Sequence, residues 1–195
     1  MPEDECLERA QQGDTEAFSF LVSAYQTRVF NLCYRMLGDF HLAEDAAQEV
    51  FWRAYQGLHR FDRGRSFLTW LLSIAAHYCI DQLRKRKTPI TNIDDWMEEM
   101  LSAPEASPEA SYAAVEEQRQ VQNLLMRLEA NERAILVLRY WYEMSETEIA
   151  EMFSLSASAV KSRLYRARQK MARLWRESQS LNAHKKEEVH EAPAF

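Results

Sequence analysis

Apolar side chains recur along this 195-residue chain at intervals of three and four, the period of one helix face, and no stretch alternates as a strand does. In the first such run, residues 14–36, Phe18, Leu21, Tyr25, Val29, Leu32 and Met36 supply core. In the second, residues 42–55, the core face is Ala43, Ala46, Ala47, Val50 and Ala54, small enough for another helix to approach closely. The third, residues 66–87, is apolar around most of its circumference through Phe67, Leu68, Leu71, Leu72, Ile74, Ala75, Tyr78 and Leu83. It keeps one polar strip of Thr69, Ser73, His77, Asp81 and Arg84, with Trp70 at its edge. Helical spacing resumes over residues 116–128 and 131–142, where Leu124, Leu128, Ile135 and Leu138 are core candidates.

The last third carries the sharpest local signals. Ser145-Glu146-Thr147-Glu148 is the Ser-x-x-Glu capping box that starts a helix. Ile149, Ala150 and Met152 continue it to a glycine-free turn at Phe153-Ser154-Leu155, after which Ser156 can cap the next helix. In that helix Val160, Leu164, Ala167, Met171 and Leu174 fall within about 40° of one line at 100° per residue. Residues 156–176 contain no acidic side chain. Two short helices around a tight turn, the second cationic, form a helix-turn-helix. The expected fold is all-α. Two small helical domains, residues 1–87 and 115–177, are joined by a flexible linker at 88–114, and the second is a four-helix unit containing the helix-turn-helix. Residues 178–195 lose periodicity and read as a disordered tail.

Composition sharpens this picture in two places. The net charge of −6 argues against nucleic acid only until its distribution is seen. Basic residues cluster at Arg84-Lys85-Arg86-Lys87 and from Lys161 to Arg176, whereas residues 88–117 hold eight acids, among them Asp94, Asp95, Glu98 and Glu99, and no Lys or Arg. That acidic stretch, with Pro89, Pro104 and Pro108, has linker composition, and as a coil it would span on the order of 30 Å. Cys6, Cys33 and Cys79 are an odd number with no C-x-x-C pair, so neither a disulfide framework nor a zinc site is supported, and no cofactor is expected. Cys33 and Cys79 suit small core positions. With no signal peptide and no membrane-length apolar run, a cytoplasmic location is the expectation.

Three surfaces carry candidate chemistry. On residues 42–55, Asp45, Gln48, Glu49 and Trp52 share the face opposite the core, and a Trp among acids is a good anchor for a protein interface. Arg60, Phe61 and Arg65 precede the third helix, and Phe67, Trp70, His77, Asp81, Arg84 and Arg86 follow along it. Aromatics beside cations are what unstacked single-stranded bases need. The cationic helix offers Ser158, Ser162, Tyr165, Arg166 and Gln169 to base edges, with Lys161, Arg163 and Arg168 on its shoulders for phosphates.

Together these residues resemble a family. Gln12-Gly13-Asp14 with Ala17-Phe18, then Ala43-Glu44-Asp45-Ala46-Ala47-Gln48-Glu49-Val50-Phe51, are similar to the opening of an extracytoplasmic-function (ECF) bacterial sigma factor. Phe67-Leu68-Thr69-Trp70-Leu71 through Ile74-Ala75 to Asp81 and Arg84 resembles its next segment, and residues 160–168 resemble its promoter-reading helix. The likeness covers about residues 7–174 in the right order. It implies a core RNA polymerase partner, with the first domain on the clamp helices of the β′ subunit and the second at the β flap. The first domain would hold the melted −10 element, and the second would read the −35 element as duplex. The linker would thread toward the polymerase's catalytic channel, the free protein would be a monomer, and an anti-sigma factor is a further implied partner. His77 stands where the family often has Asn, and Ala157-Ser158-Ala159 replaces its usual Gly-Thr, so no promoter sequence is carried over.

Two rival classes are weighed against this. A stand-alone helix-turn-helix regulator would need only the C-terminal half and leaves the Trp52 face and the Trp70 strip unexplained. An enzyme would need a catalytic set, but His41, His59, His77, His184 and His190 are scattered and no phosphate-binding glycine loop is present.

Overall fold

The structure is a computed structural model that describes residues 2–85 and 108–190, with side chains over 2–85 and 116–180. All regular structure among the described residues is helical. The chain divides into two compact units, Met1–Met126 and Arg127–Phe195.

The first unit begins with α1 (Glu3–Gln11), absent from the sequence reading because its acidic, polar composition hides a short apolar side of Cys6, Leu7 and Ala10. Gly13, at φ +93°, turns the chain into α2 (Thr15–Leu37). Asp14 caps α2 by accepting from the backbone N–H of Glu16 and Ala17 at 2.9 and 3.0 Å, and Arg9 bonds the same carboxylate at 2.7 Å. The Ala17 N–H first, then Arg9, holds the Asp14 carboxyl below its ordinary range. α2 ends at Gly38 (φ +73°), whose N–H closes onto Tyr34 O at 2.8 Å. Asp39 then caps α3 (Phe40–Gly57). A 3₁₀ turn, Leu58–Arg60, and a loop lead to α4 (Phe67–Lys85).

Ala43, Ala46 and Ala54 of α3 are buried, as their small size anticipated, with Leu21, Val29, Leu32 and Met36 of α2 and Leu71, Leu72 and Ala75 of α4. Cys33 and Cys79 lie in this core as free thiols, and Cys6 is buried too. Gln11 reaches 47 and 50 residues along the chain to donate to the Leu58 and Phe61 carbonyls at 3.0 and 2.9 Å, fixing the loop before α4.

α5 (Pro108–Met126) starts inside the stretch read as linker. Pro at the first helical position is pre-set for a helix, and the Ala-rich turns after it propagate one. Its C-terminal half packs on α2. Gln122, nearly fully buried, donates to the carbonyls of Tyr34 and Arg35 at 3.1 and 3.4 Å, satisfying the end of α2. Gly38 takes the left-handed turn, and the flexible Met126 side chain lies against it. The rest of the linker, residues 88–107, lies outside the described residues.

The second unit holds α6 (Ala130–Trp141), α7 (Glu146–Met152) and α8 (Ala157–His190). Its core joins Ile135, Leu138, Ile149, Val160, Leu164, Ala167 and Leu174, all buried. The capping box forms in full: Ser145 Oγ accepts the Glu148 N–H, and the Glu148 carboxylate accepts the Ser145 N–H at 2.8 Å. The Ser145 hydroxyl and N–H hold the Glu148 carboxyl below its ordinary range. In the glycine-free turn Ser154 takes φ +53°, the left-handed geometry a glycine would adopt at lower cost. Ser156 Oγ accepts the Ala159 N–H at 3.2 Å and starts α8. α8 runs on to His190, a correction to the tail read as disordered from residue 178. Ala, Lys and Glu after residue 182 are good helix formers, and an existing helix extends without a new nucleation cost. Residues 191–195 lie outside the described part.

Candidate functional sites

The outer face of α3 exposes Asp45, Gln48 and Trp52, the last at 58%. Glu49 is half-buried and accepts Arg53 Nε at 2.7 Å, and Arg53 in turn sits 4.8 Å from the Tyr78 ring centroid. Glu49 is therefore anchored sideways, whereas Asp45 and Gln48 face out. The Trp52 ring stacks beside Tyr55 at 6.5 Å, and Tyr55 meets Phe18 edge-on at 5.0 Å. These rings wall a groove of about 850 Å³ between α2 and α3, floored by Phe18, Val22, Phe30, Phe40 and Phe51. The α2 wall is not legible in the sequence, because helical spacing alone places Phe18 in the core.

The second site departs from expectation. Phe61 and Phe67, read as stacking platforms for bases, are 6% and 1% exposed. They form a three-ring cluster with Trp70, at centroid separations of 5.0 to 5.7 Å, and so they are core. Burial of large aromatic area outweighs their value at the surface. Trp70 is half-buried and keeps an edge at the head of the strip; His77, Asp81 and Arg84 follow it exposed along α4. Several cations here are already engaged. Arg84 lies 3.8 Å from Asp81, Arg65 lies 3.9 Å from Asp62, and Arg63 lies 3.2 Å from Glu8. Arg60 Nε donates to His59 Nε2 at 3.0 Å, while His59 Nδ1 stands 3.0 Å from the Gln56 carbonyl. His77 Nδ1 stands 2.7 Å from the Ser73 carbonyl. Arg86 lies outside the described residues.

The third site is the first half of α8. Its keel is buried at Val160, Leu164, Ala167 and Leu174, and Ser158, Lys161, Ser162, Tyr165, Arg166, Arg168 and Gln169 are exposed, with Arg163 and Met171 intermediate. Ser162 Oγ donates to the Ser158 carbonyl at 2.9 Å, leaving its oxygen as an acceptor. Among the described residues no carboxylate pairs with Lys161, Arg163 or Arg166. Farther along, Lys170 and Arg173 are tied to Glu132 and Glu177 at 3.5 and 3.7 Å. The charge therefore concentrates where the helix enters from its turn. No group of side chains among the described residues is arranged to hold a metal, and no described helix is long and apolar enough to cross a membrane.

These surfaces coincide with known segments. Residues 21–88 match the family model described as Sigma-70 region 2, and residues 118–171 match Sigma-70, region 4. The chain is 35% identical over 179 residues to the ECF RNA polymerase sigma factor SigW of Bacillus subtilis, spanning 88% of this chain and 95% of that one. The protein belongs to the ECF family of sigma factors. Among solved structures it resembles CnrH in complex with the cytosolic domain of CnrY, at TM-score 0.66 and 26% identity, covering 88% of this chain and 96% of the other. The sigma factor RpoE of Bartonella quintana, solved with the anti-sigma factor NepR, shares the fold at TM-score 0.61 and 18% identity over 82% of this chain and 96% of that one. As a sigma factor the protein binds core RNA polymerase and directs transcription initiation at chosen promoters. A stand-alone regulator is not favoured, since the region 2 match lies wholly outside the helix-turn-helix.

Proposed function

We propose that the three surfaces divide the work of initiation. The α3 face, with Asp45, Gln48 and Trp52 outward and Glu49 beside them, docks on the β′ clamp helices, and the exposed indole is its anchor. Trp70, His77 and Arg84, with Asp81 as the internal partner of Arg84 and Arg60 and Arg65 in the loop, hold the −10 element once it is single-stranded. The α8 face reads the −35 element as duplex: Ser158, Ser162, Tyr165, Arg166 and Gln169 meet base edges, and Lys161, Arg163 and Arg168 meet phosphates. Residues 1–87 and 115–177 then act as two modules, with 88–114 between them and the β flap receiving the second. All catalysis belongs to the polymerase. An anti-sigma factor, the kind of protein with which the Bartonella quintana RpoE was solved, is a further partner.

The observation that carries this reading is the α8 face: cations without carboxylate partners among the described residues, and hydrogen-bonding side chains, stand on a keel that cannot turn away. Run-off transcription with purified core polymerase on a promoter library tests it. The expected product set comes from promoters sharing two elements, and it disappears without core. Sequence-selective binding to duplex by the chain alone, unchanged by core, would overturn it.

A further inference from the structure

Arg168 and Lys170 sit on opposite shoulders of the α8 keel, 200° apart at 100° per residue. α6 crosses beneath and touches both. Its first turn brings Glu132 to Lys170 at 3.5 Å, and its last turn brings Tyr140 to Arg168, whose Nη1 donates to the phenol oxygen at 3.4 Å. The two contacts differ in kind. A carboxylate cancels the charge it holds, whereas a neutral phenol orients a guanidinium and leaves its charge intact. Tyr140 is also 51% exposed, and Tyr165, one turn before Arg168 on α8, is 58% exposed. The charged shoulder is thus framed by two open tyrosines, beside the face that meets bases.

We propose that Tyr140 is a positioning residue for a backbone phosphate of the −35 duplex. It holds the Arg168 guanidinium toward the phosphate and acts on the DNA only through it. Arg168 then meets DNA with less side-chain freedom left to lose. The inference rests on the reading of α8 as the duplex-binding helix.

The test uses holoenzyme assembled from core polymerase and the full chain, titrated with a library of −35 duplexes at several salt concentrations. Tyr140→Phe keeps the ring and removes only the hydroxyl. It should weaken binding about threefold to tenfold, equally across sequences, as loss of one hydrogen bond to a charged group does. Arg168→Ala should cost at least as much and lower the salt slope by about one phosphate. The double variant should bind no worse than Arg168→Ala, because the two side chains act as one unit. A merely structural tyrosine would give losses that multiply. Wild-type binding by Tyr140→Phe, multiplying losses, or a changed base preference would each overturn the proposal. If Arg166→Ala and Arg168→Ala both leave duplex binding untouched, α8 is not the duplex reader, a failure that Tyr140→Phe alone cannot produce.

Discussion

The two surfaces proposed for nucleic acid in this sigma factor are both cationic and aromatic, yet they keep their charge differently. On α8, Lys161, Arg163 and Arg166 stand with no carboxylate partner among the described residues, open to the duplex proposed for this face. On α4 and its loop, Arg84, Arg65 and Arg63 lie beside the carboxylates of Asp81, Asp62 and Glu8, while Arg60 is oriented by the His59 imidazole and keeps its charge. A surface most of whose arginines are paired with carboxylates attracts duplex more weakly and exchanges partners when a better one is presented. That arrangement suits DNA that becomes single-stranded late. In the division proposed above, one surface is prepared for encounter and the other for capture after opening.

The largest effect should come from removing the support under α8. Leu164→Ala leaves a cavity beneath the exposed face, and such truncations cost about 2–5 kcal/mol. Thermal melting should show the unit containing α8 destabilised and the other unchanged, with −35 selectivity lost. Trp52→Ala comes next. Losing an interface Trp commonly costs about 2 kcal/mol or more, and an indole this open contributes little to its own fold. Core polymerase affinity should fall while the melting temperature holds; a collapse of the fold would place Trp52 in the core.

Within the cationic surfaces, Arg166→Ala should relax selectivity at one or two −35 positions by about 1–3 kcal/mol per base, whereas Lys161→Ala should weaken all promoters alike. The smallest effect sharpens the contrast most. Asp81→Asn removes the exposed partner of Arg84, a pair worth about 0–1 kcal/mol, so stability should hardly move. Non-specific binding of duplex by the first unit should rise, with a steeper salt dependence. No change in the salt slope would mean that the pairing does not mask the charge.

The sequence made the second unit more legible than the first because its signals are local. The Ser145–Glu148 box, the Ser156 cap and the α8 keel are each set by residues within one or two turns. The left-handed Ser154 was the exception, since no residue type there announced φ +53°. What stayed hidden depends on contacts distant in sequence. Phe61 and Phe67 look like a base platform beside Arg60 and Arg65 until Trp70 closes over them. The Gln122 side chain finds the end of α2 from 88 residues away, and nothing near it in the chain says so. The first unit runs to Met126, although the region 4 match begins at residue 118.

The measurement that tests the division most directly compares transcription from a closed promoter with transcription from the same promoter carrying a pre-melted −10 bubble. Two holoenzymes are needed, one with His77→Ala combined with Arg84→Ala and one with Arg166→Ala. The account predicts that the bubble restores much of the activity to the α4 variant and little to the α8 variant, whose defect lies in reading duplex that the bubble does not change. Equal rescue of both, or no rescue of the α4 variant, would contradict it.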